Sequence, residues 1–348
     1  MTTIRALIAT TVKKGWIISQ LDVNNAFLHG DLNEEVYMQV PPGLVIEKPG
    51  LVCKLNKSLY GLKQASRQWY AKLTEALYSR GYTHSMYDYS IFYKRNGSAS
   101  VYIVVYVDDV LLTGTDQQEI VKLKSFLHEQ FKIKDLGQLH YFLGLEIMYK
   151  EDGIIISQRK FVLDLLKEYD CLEHKACSSP LDPNVKLKAK EGTILQDPTY
   201  YRKLVGKLNF LTNTRLDIAY GVQHLSQFMQ EPREPHLKAA FHLLKYLKND
   251  PTLGIFMLKD GDHTVRAYCD SDWAACPDSR RSISGYLVLL GNSPISWKSK
   301  KQETISLSSA EAVYRVLRKV VGELVWLRRL FEELTVPFSL PISVYCDS

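Results

Sequence analysis

An α+β protein of more than one domain is what this sequence predicts, from three observations. Acid-tipped β-rich runs occur at 16–23 and 101–114, amphipathic helical spacing lies between and after them, and a second group of strands follows residue 260. A length of 348 residues, against roughly 150 per domain, favours two or three domains.

The run WIISQLDV (16–23) reads as a strand ending in an acid, and VYIVVYVDDVLLTG (101–114) as two strands broken at Asp108-Asp109. Between them, SLYGLKQASRQWYAKLTEALYSR (58–80) places Trp69, Leu73 and Leu77 at helical spacing after a turn marked by Gly61. A second amphipathic helix covers 116–131, opened by Asp116. Residues 1–150 are therefore expected to form an antiparallel sheet with helices on one side. From about 160 to 250 the pattern turns helical (FVLDLLKEY, YYRKLVGKLNFLT, IAYGVQHLSQFM, PHLKAAFHLLKYLK), with a loop rich in Pro, Asp and Lys at 178–198, so 151–260 reads as a mostly helical domain. Residues 261–348 show a βββαβ order: strands at 264–270 and within 282–297, a helix from Ser308 to about Glu333, and a last strand ISVYCD.

An apolar share of 46% and a charged share of 24% are ordinary for a folded globular chain. The net charge of +6 favours a polyanionic partner without establishing one. Six scattered cysteines without a CxxC pair or zinc spacing read as reduced thiols. The sequence has neither a signal-peptide pattern nor an apolar run of about eighteen residues, so an intracellular protein without a membrane span is expected.

Nucleotidyl transfer on two metal ions needs carboxylates that converge from different strands, and Asp22 and Asp108 are candidates for that convergence. Neighbouring strand residues point to opposite faces, so Asp108 and Asp109 can share a site only at a hairpin tip, with Asp108 expected to be the stronger ligand. Taken alone, an Asp-Asp pair between strands is turn chemistry. The surrounding strings decide otherwise. YVDD (106–109) resembles the Y-x-D-D box of reverse transcriptases, and QLDVNNAFLHGDLNEEVYMQVPPG (20–43), LNKSLYGLKQASRQWY (55–70) and FLGLEI (142–147) resemble segments of the copia-type LTR retrotransposon Pol polyprotein, over essentially the whole chain.

That resemblance implies a reverse transcriptase palm and thumb followed by a ribonuclease H-like α/β domain, acting on an RNA template, a DNA primer, RNA–DNA hybrid and dNTPs. It implies two Mg²⁺ ions per site, or Mn²⁺, held by Asp22, Asp108, Asp109 and the Val23 carbonyl. Phe27 matches the aromatic that crowds the sugar 2′ position; a core aromatic is the alternative. Asn25 and Ala26 are implied to line the triphosphate, Gly61 and Lys63 the template and nucleotide wall, and Phe142, Leu143 and Gly144 the primer grip. Lys134 matches a lysine near the incoming phosphate; for both lysines a solvated surface charge is the alternative.

Ribonuclease H chemistry draws its carboxylates from a strand, a helix N-terminus and another strand, and Asp270, Glu311 and Asp347 occupy those places in order. AYCDSDWAACPDSRRSISGYLVLLG (267–291), PISWKSKKQETISLSSAEA (294–312) and VYCDS (344–348) resemble the copia-type ribonuclease H pattern. Asp270 is preferred over Asp272 because it is expected to end its strand. Ser308 to Glu311 also satisfies a capping box, which predicts that the Glu311 carboxylate reaches back to the N-cap amide. Lys298, Lys300, Lys301, Arg280 and Arg281 are candidates to follow phosphates, or are simply solvated.

The resemblance also sets expectations of loss. A basic fingers segment normally precedes the Asp22 motif, further structure normally follows the last strand, and Val313 and Leu216 stand where the family usually has Glu and Pro. Weak or absent activity of a decayed copy, or a catalytically inactive nucleic-acid-binding remnant, is therefore the competing expectation, as is pairing with another Pol chain that supplies fingers. An unrelated metal-dependent phosphatase or nuclease would require Asp22 and Asp108 to lie far apart.

Overall fold

The computed structural model describes residues 1–45, 48 and 50–347; Ser348, the end of the VYCDS string, lies outside the described residues. The chain divides into two compact units, Trp16–Leu139 and Met1–Gly15 joined with His140–Ser348. It is mixed α/β throughout, and no helix among the described residues is long and apolar enough to cross a membrane.

Helix α1 (Thr2–Lys14), which carries no predicted element above, belongs to the larger unit. Ile4, Ala6, Leu7, Ile8, Ala9, Thr10 and Thr11 are all buried, so the helix is covered nearly all round and lacks the polar stripe by which periodicity reveals a helix. Gly15 ends it in the left-handed conformation, at φ 66°.

Unit 16–139 is built from β1 (Ser19–Val23), β2 (Tyr37–Gln39), β3 (Val52–Lys54), α2 (Ala65–Ser79), β4 (Thr83–His84), β5 (Ile91–Asn96), β6 (Ala99–Tyr106), β7 (Asp109–Gly114), α3 (Gln117–Phe131) and β8 (Ile133–Gln138). Six of the strands form an antiparallel sheet in the order β4-β5-β6-β7-β1-β8. Strand alternation sends Leu21, Val23, Val101, Ile103, Val105, Val110 and Leu112 to one face, where they pack with Trp69, Leu73 and Leu77 of α2 and Ile120, Leu123 and Leu127 of α3. As the spacing predicts, the helices share one side of the sheet. Asp116 caps α3 by accepting the Glu119 amide at 2.9 Å.

The larger unit continues with β9 (Tyr141–Phe142), β10 (Leu145–Lys150), β11 (Gly153–Ser157), α4 (Arg159–Glu168), α5 (Pro198–Leu211), α6 (Ala219–Ser226), α7 (Glu234–Asn249) and β12 (Ile255–Leu258). After them come β13 (Val265–Asp272), β14 (Ile283–Leu290), β15 (Ser293–Lys301), α8 (Ser309–Glu333) and β16 (Ser343–Cys346). The first strands form a sheet ordered β12-β11-β10-β9, and α4 to α7 bury a second core around Leu165, Leu204, Leu208 and Leu244. The last strands form a sheet ordered β15-β14-β13-β16, antiparallel except that β16 runs parallel to β13. That parallel return requires a crossover, supplied by α8, whose buried row Ala312, Val316, Val320, Leu324 and Leu327 recurs at helical spacing.

Arg5 ties α1 to this unit. Its Nε donates to the Ile295 carbonyl at 2.9 Å and an Nη to the Asn213 carbonyl at 2.9 Å, and the guanidinium lies 3.8 Å from the centre of the Trp297 ring. Burial lowers its pKa to about 10, so it stays charged at neutral pH. Arg5→Met keeps the stem but strands two carbonyls, and is expected to lower stability by roughly 2–3 kcal/mol in denaturant unfolding.

His236 sets a pH dependence. Its Nδ1 accepts the Arg233 amide at 3.0 Å, which leaves Nε2–H to donate to the Lys188 carbonyl at 2.9 Å, while the ring stacks on Phe228. Burial holds the imidazole below its ordinary pKa, with Arg233 acting the same way and Asp278 and the Lys188 carbonyl opposing. The unfolded chain thus takes up a proton that the folded chain refuses, so stability is present above the unfolded value of about 6.5 and is lost as pH falls through it. Thermal melts from pH 7.5 down to about 5.5 are expected to show this loss, with a shallower slope in His236→Gln.

Candidate active site

Strand pairing assembles the first group of acids. Asp22 of β1 is the cross-strand partner of Asp109 on β7 and, on its other side, of Lys134 on β8. Directly opposed residues share a face with their Cβ atoms about 5 Å apart, so Asp109, Asp22 and Lys134 form a row across three neighbouring strands. The row lies on the face opposite the core, because Leu21 and Val23 take the core side. Gln20, two residues before Asp22 and on its face, donates Nε2–H to Asp109 Oδ1 at 3.2 Å.

The turn between β6 and β7 consists of Val107 and Asp108, while Asp109 is the first residue of β7 and pairs with Tyr106. The tip therefore carries Asp108 alone, and Asp109 reaches the same neighbourhood as a strand residue. Val107 has φ 58°, a left-handed conformation unfavourable for a β-branched residue. Its carbonyl accepts the Trp69 indole N–H at 2.6 Å, and the Asp108 carbonyl accepts the Val23 amide at 2.8 Å. Burial raises the Asp109 pKa; the Gln20 hydrogen bond opposes the shift and the negative charges of Asp108 and Asp22 add to it.

Asn25, exposed and left-handed at φ 49°, opens a 3-10 helix at Ala26–His29. Ala26 is fully buried, backbone included, and its amide and that of Phe27 face the Tyr60 phenol oxygen. Phe27 is half-buried against the core and also lies 4.5 Å from the Tyr60 ring, which makes it both a core aromatic and a wall of the site. Burial and then the charge of Asp108, with a smaller part from Asp22, raise the Tyr60 phenol, while the Ala26 and Phe27 amides oppose the shift. Gly61 follows at φ 96°, and Lys63 is exposed.

Gln20, Tyr60 and Trp69 are thus members of the site that sequence reasoning passed over. Period-two alternation would have put Gln20 beside Asp22, but Trp69 shows in sequence only as a core position of a helix.

In the other unit, Leu143 and Gly144 form the turn between β9 and β10 at φ 51° and 81°, and Phe142 is buried. A Cβ on Gly144 would come within 2.7 Å of the Phe210 ring. The Phe142 side chain therefore packs in the interior, directly before the turn formed by Leu143 and Gly144.

The second group of acids lies on the last sheet. Contrary to expectation Asp270 does not end β13; pairing with β14 persists through Asp272, which is the terminal residue. Burial raises the Asp272 pKa and the charge of Asp270 adds to it. The parallel pairing of β13 with β16 runs to Cys269 opposite Cys346, so Asp270 and Asp347 each come next, and both line an open cleft of about 520 Å³ with the stacked rings of Tyr268 and Tyr345.

Glu311 does cap α8, but differently from the capping-box expectation. Its carboxylate accepts the amide of Leu307, one residue before the N-cap, at 2.7 Å, and its other oxygen takes the Arg315 guanidinium at 2.6 Å. Ser308 meanwhile accepts the Glu311 amide at 3.1 Å. Among the described residues no group of three or more His, Cys, Asp or Glu is gathered closely enough to hold a metal ion.

The Leu307 amide and then Arg315 hold Glu311 below the usual carboxylate range. Its contribution is present above the unfolded pKa and lost as pH falls through the folded one. Glu311→Gln is accordingly expected to lower the melting temperature at pH 7, and the difference from the parent chain is expected to shrink as pH falls below the ordinary carboxylate range.

The family described as Reverse transcriptase (RNA-dependent DNA polymerase) matches residues 1–183. The chain belongs to this family. It is 44% identical over its full length to the retrovirus-related Pol polyprotein from transposon RE1 of Arabidopsis thaliana and 37% identical to that from transposon TNT 1-94 of Nicotiana tabacum. These matches take up 24% and 27% of the two polyproteins, so the chain spans about a quarter of their length. A putative transposon Ty5-1 protein of Saccharomyces cerevisiae is 32% identical over 87% of the chain and is matched over its whole length. Residues 1–183 carry the reverse transcriptase match, and the whole chain is similar to Pol polyproteins of copia-type transposons.

Proposed function

We propose that the chain is an RNA-directed DNA polymerase with a ribonuclease H module. In this reading the unit Trp16–Leu139, the greater part of the expected 1–150, is the palm, the helices α4 to α7 within 151–260 are the thumb and connection, and 261–348 is a ribonuclease H-like domain; helix α1 and strands β9 and β10 fall outside the palm because they belong to the larger unit. The observation that carries the polymerase reading is the row Asp109–Asp22–Lys134 across three strands, with Asp108 on the adjoining turn.

The donor chemistry fits a divalent cation. Asp22 and Asp109 offer hard oxygens from one face as a pair, and burial together with the negative charges of Asp108 and Asp22 raises Asp109, an excess of negative charge that a cation would offset. Asp22, Asp108, Asp109 and the Val23 carbonyl would hold Mg²⁺ or Mn²⁺. When bound, the metal pair activates the attacking oxygen and neutralises charge on the leaving phosphate. Lys134, one strand from Asp22, would meet an incoming triphosphate with opposite charge, and exposed Asn25, backed by buried Ala26, would line it. Phe27, backed by Tyr60, would bound the space beside the sugar. Gly61 and Lys63 would flank the template, and Leu143 and Gly144, braced by Phe142, the primer. Asp270 and Asp347 share a cleft that would take an RNA–DNA hybrid strand. A dimer with another Pol chain belongs to the same proposal.

A second reading, an inactive nucleic-acid-binding remnant, is favoured for the ribonuclease H half by one observation: both Glu311 carboxylate oxygens are already engaged, by Leu307 and Arg315.

The test is dNTP incorporation on poly(rA)/oligo(dT) with Mg²⁺. Incorporation by this chain that disappears in Asp108→Asn is expected; no incorporation by either, with salt-dependent nucleic-acid binding retained, would favour the remnant.

A further inference from the structure

We propose that Trp69 is a positioning residue for the polymerase carboxylates, acting through the peptide that joins Val107 to Asp108. The inference rests on the polymerase reading above only in what it says about catalysis; the hold of Trp69 on the turn stands independently.

A turn with a β-branched residue at φ 58° does not keep that shape unaided, since the Cβ crowds the backbone in the left-handed region. Here two successive carbonyls are anchored. Val107 is held by the Trp69 indole at 2.6 Å and Asp108 by the Val23 amide at 2.8 Å. The second anchor is part of the sheet and comes with the pairing of β1. The first comes from α2 and depends on one side chain.

That side chain is itself fixed. Trp69 is 2% exposed, with Phe131 edge-on at 5.1 Å and His29 at 5.8 Å between ring centres. The approach of α2 is set by Gly30, where a Cβ would come within 2.9 Å of Gln68 Cβ and 3.0 Å of the Trp69 backbone nitrogen. Gly30 has an ordinary φ of −69°, so its small size and not its flexibility is what the packing uses. A line of contact thus runs from Gly30 to α2, through the indole, to the peptide that aims Asp108 and starts the strand bearing Asp109. Phenylalanine would keep an aromatic ring in this core but not the donor. The N–H donor is what distinguishes tryptophan at this position.

The decisive comparison is the full chain with its Trp69→Phe variant, which keeps an aromatic ring in the core while removing the donor together with part of the ring volume. Hydrogen–deuterium exchange of peptides covering 105–110 is expected to quicken about tenfold in the variant, with protection of α2 and of the rest of the sheet unchanged. In the incorporation assay kcat is expected to fall about tenfold and the Mg²⁺ requirement to rise, while KM for dNTP stays constant. Gly30→Ala, which keeps the indole but forces α2 outward, is a second route to the same local loosening should Trp69→Phe fold poorly. A tip that loosens in a parent chain without polymerase activity would sink the polymerase reading and keep the positioning role. Unchanged exchange at 105–110, or faster exchange spread over the whole core, would overturn the proposal.

Discussion

The antiparallel pairing of β1 with β7 is the constraint on which the first unit depends. It sets Asp22 against Asp109 and, through the Val23 amide, fastens the turn that carries Asp108. Because side chains alternate along a strand, a register slip by one residue would send Asp22 into the core and Leu21 to the open face. The apolar burial of Leu21, Val23, Val110 and Leu112 resists that slip. The hydrophobic core thereby fixes the position of charges that it does not touch.

Those charges work against stability. Asp109 is partly buried beside two other carboxylates, and its raised pKa reflects both the lost hydration and the repulsion. A single hydrogen bond from Gln20 offsets only part of this. Such an arrangement is expected where a group serves chemistry and not folding. Glu311 presents the opposite case, a carboxylate with an amide and a guanidinium for partners, satisfied as a helix cap. Between the two acid groups, the one that is poorly satisfied is the better candidate for an open site.

Much of the fold was legible. Helices at Trp69–Leu73–Leu77 and after Asp116 appear where their spacing and cap predict them, because one buried stripe and one polar stripe leave a period of 3.6 in the sequence. The βββαβ order near the end was legible for the same kind of reason. Helix α1 was not, since burial on nearly all sides erases the stripe, and neither was its membership of the larger unit through Arg5. The end of β13 was misplaced because its acids alternate with buried Cys269 and Ser271, so Asp270 and Asp272 occupy outward positions of a strand that simply continues.

By itself the sequence determined the family, the candidate carboxylates and the kinds of element that carry them, because these depend on residue type, order and short-range period. Only the tertiary structure decided that Asp22 has Asp109 on one side and Lys134 on the other, that Phe142 is a core residue, and that the Glu311 cap reaches Leu307. It alone also joined Trp69 to the carbonyl of Val107. Each of these is a contact between positions whose meeting depends on strand register or helix packing, and neither leaves a local mark in the chain.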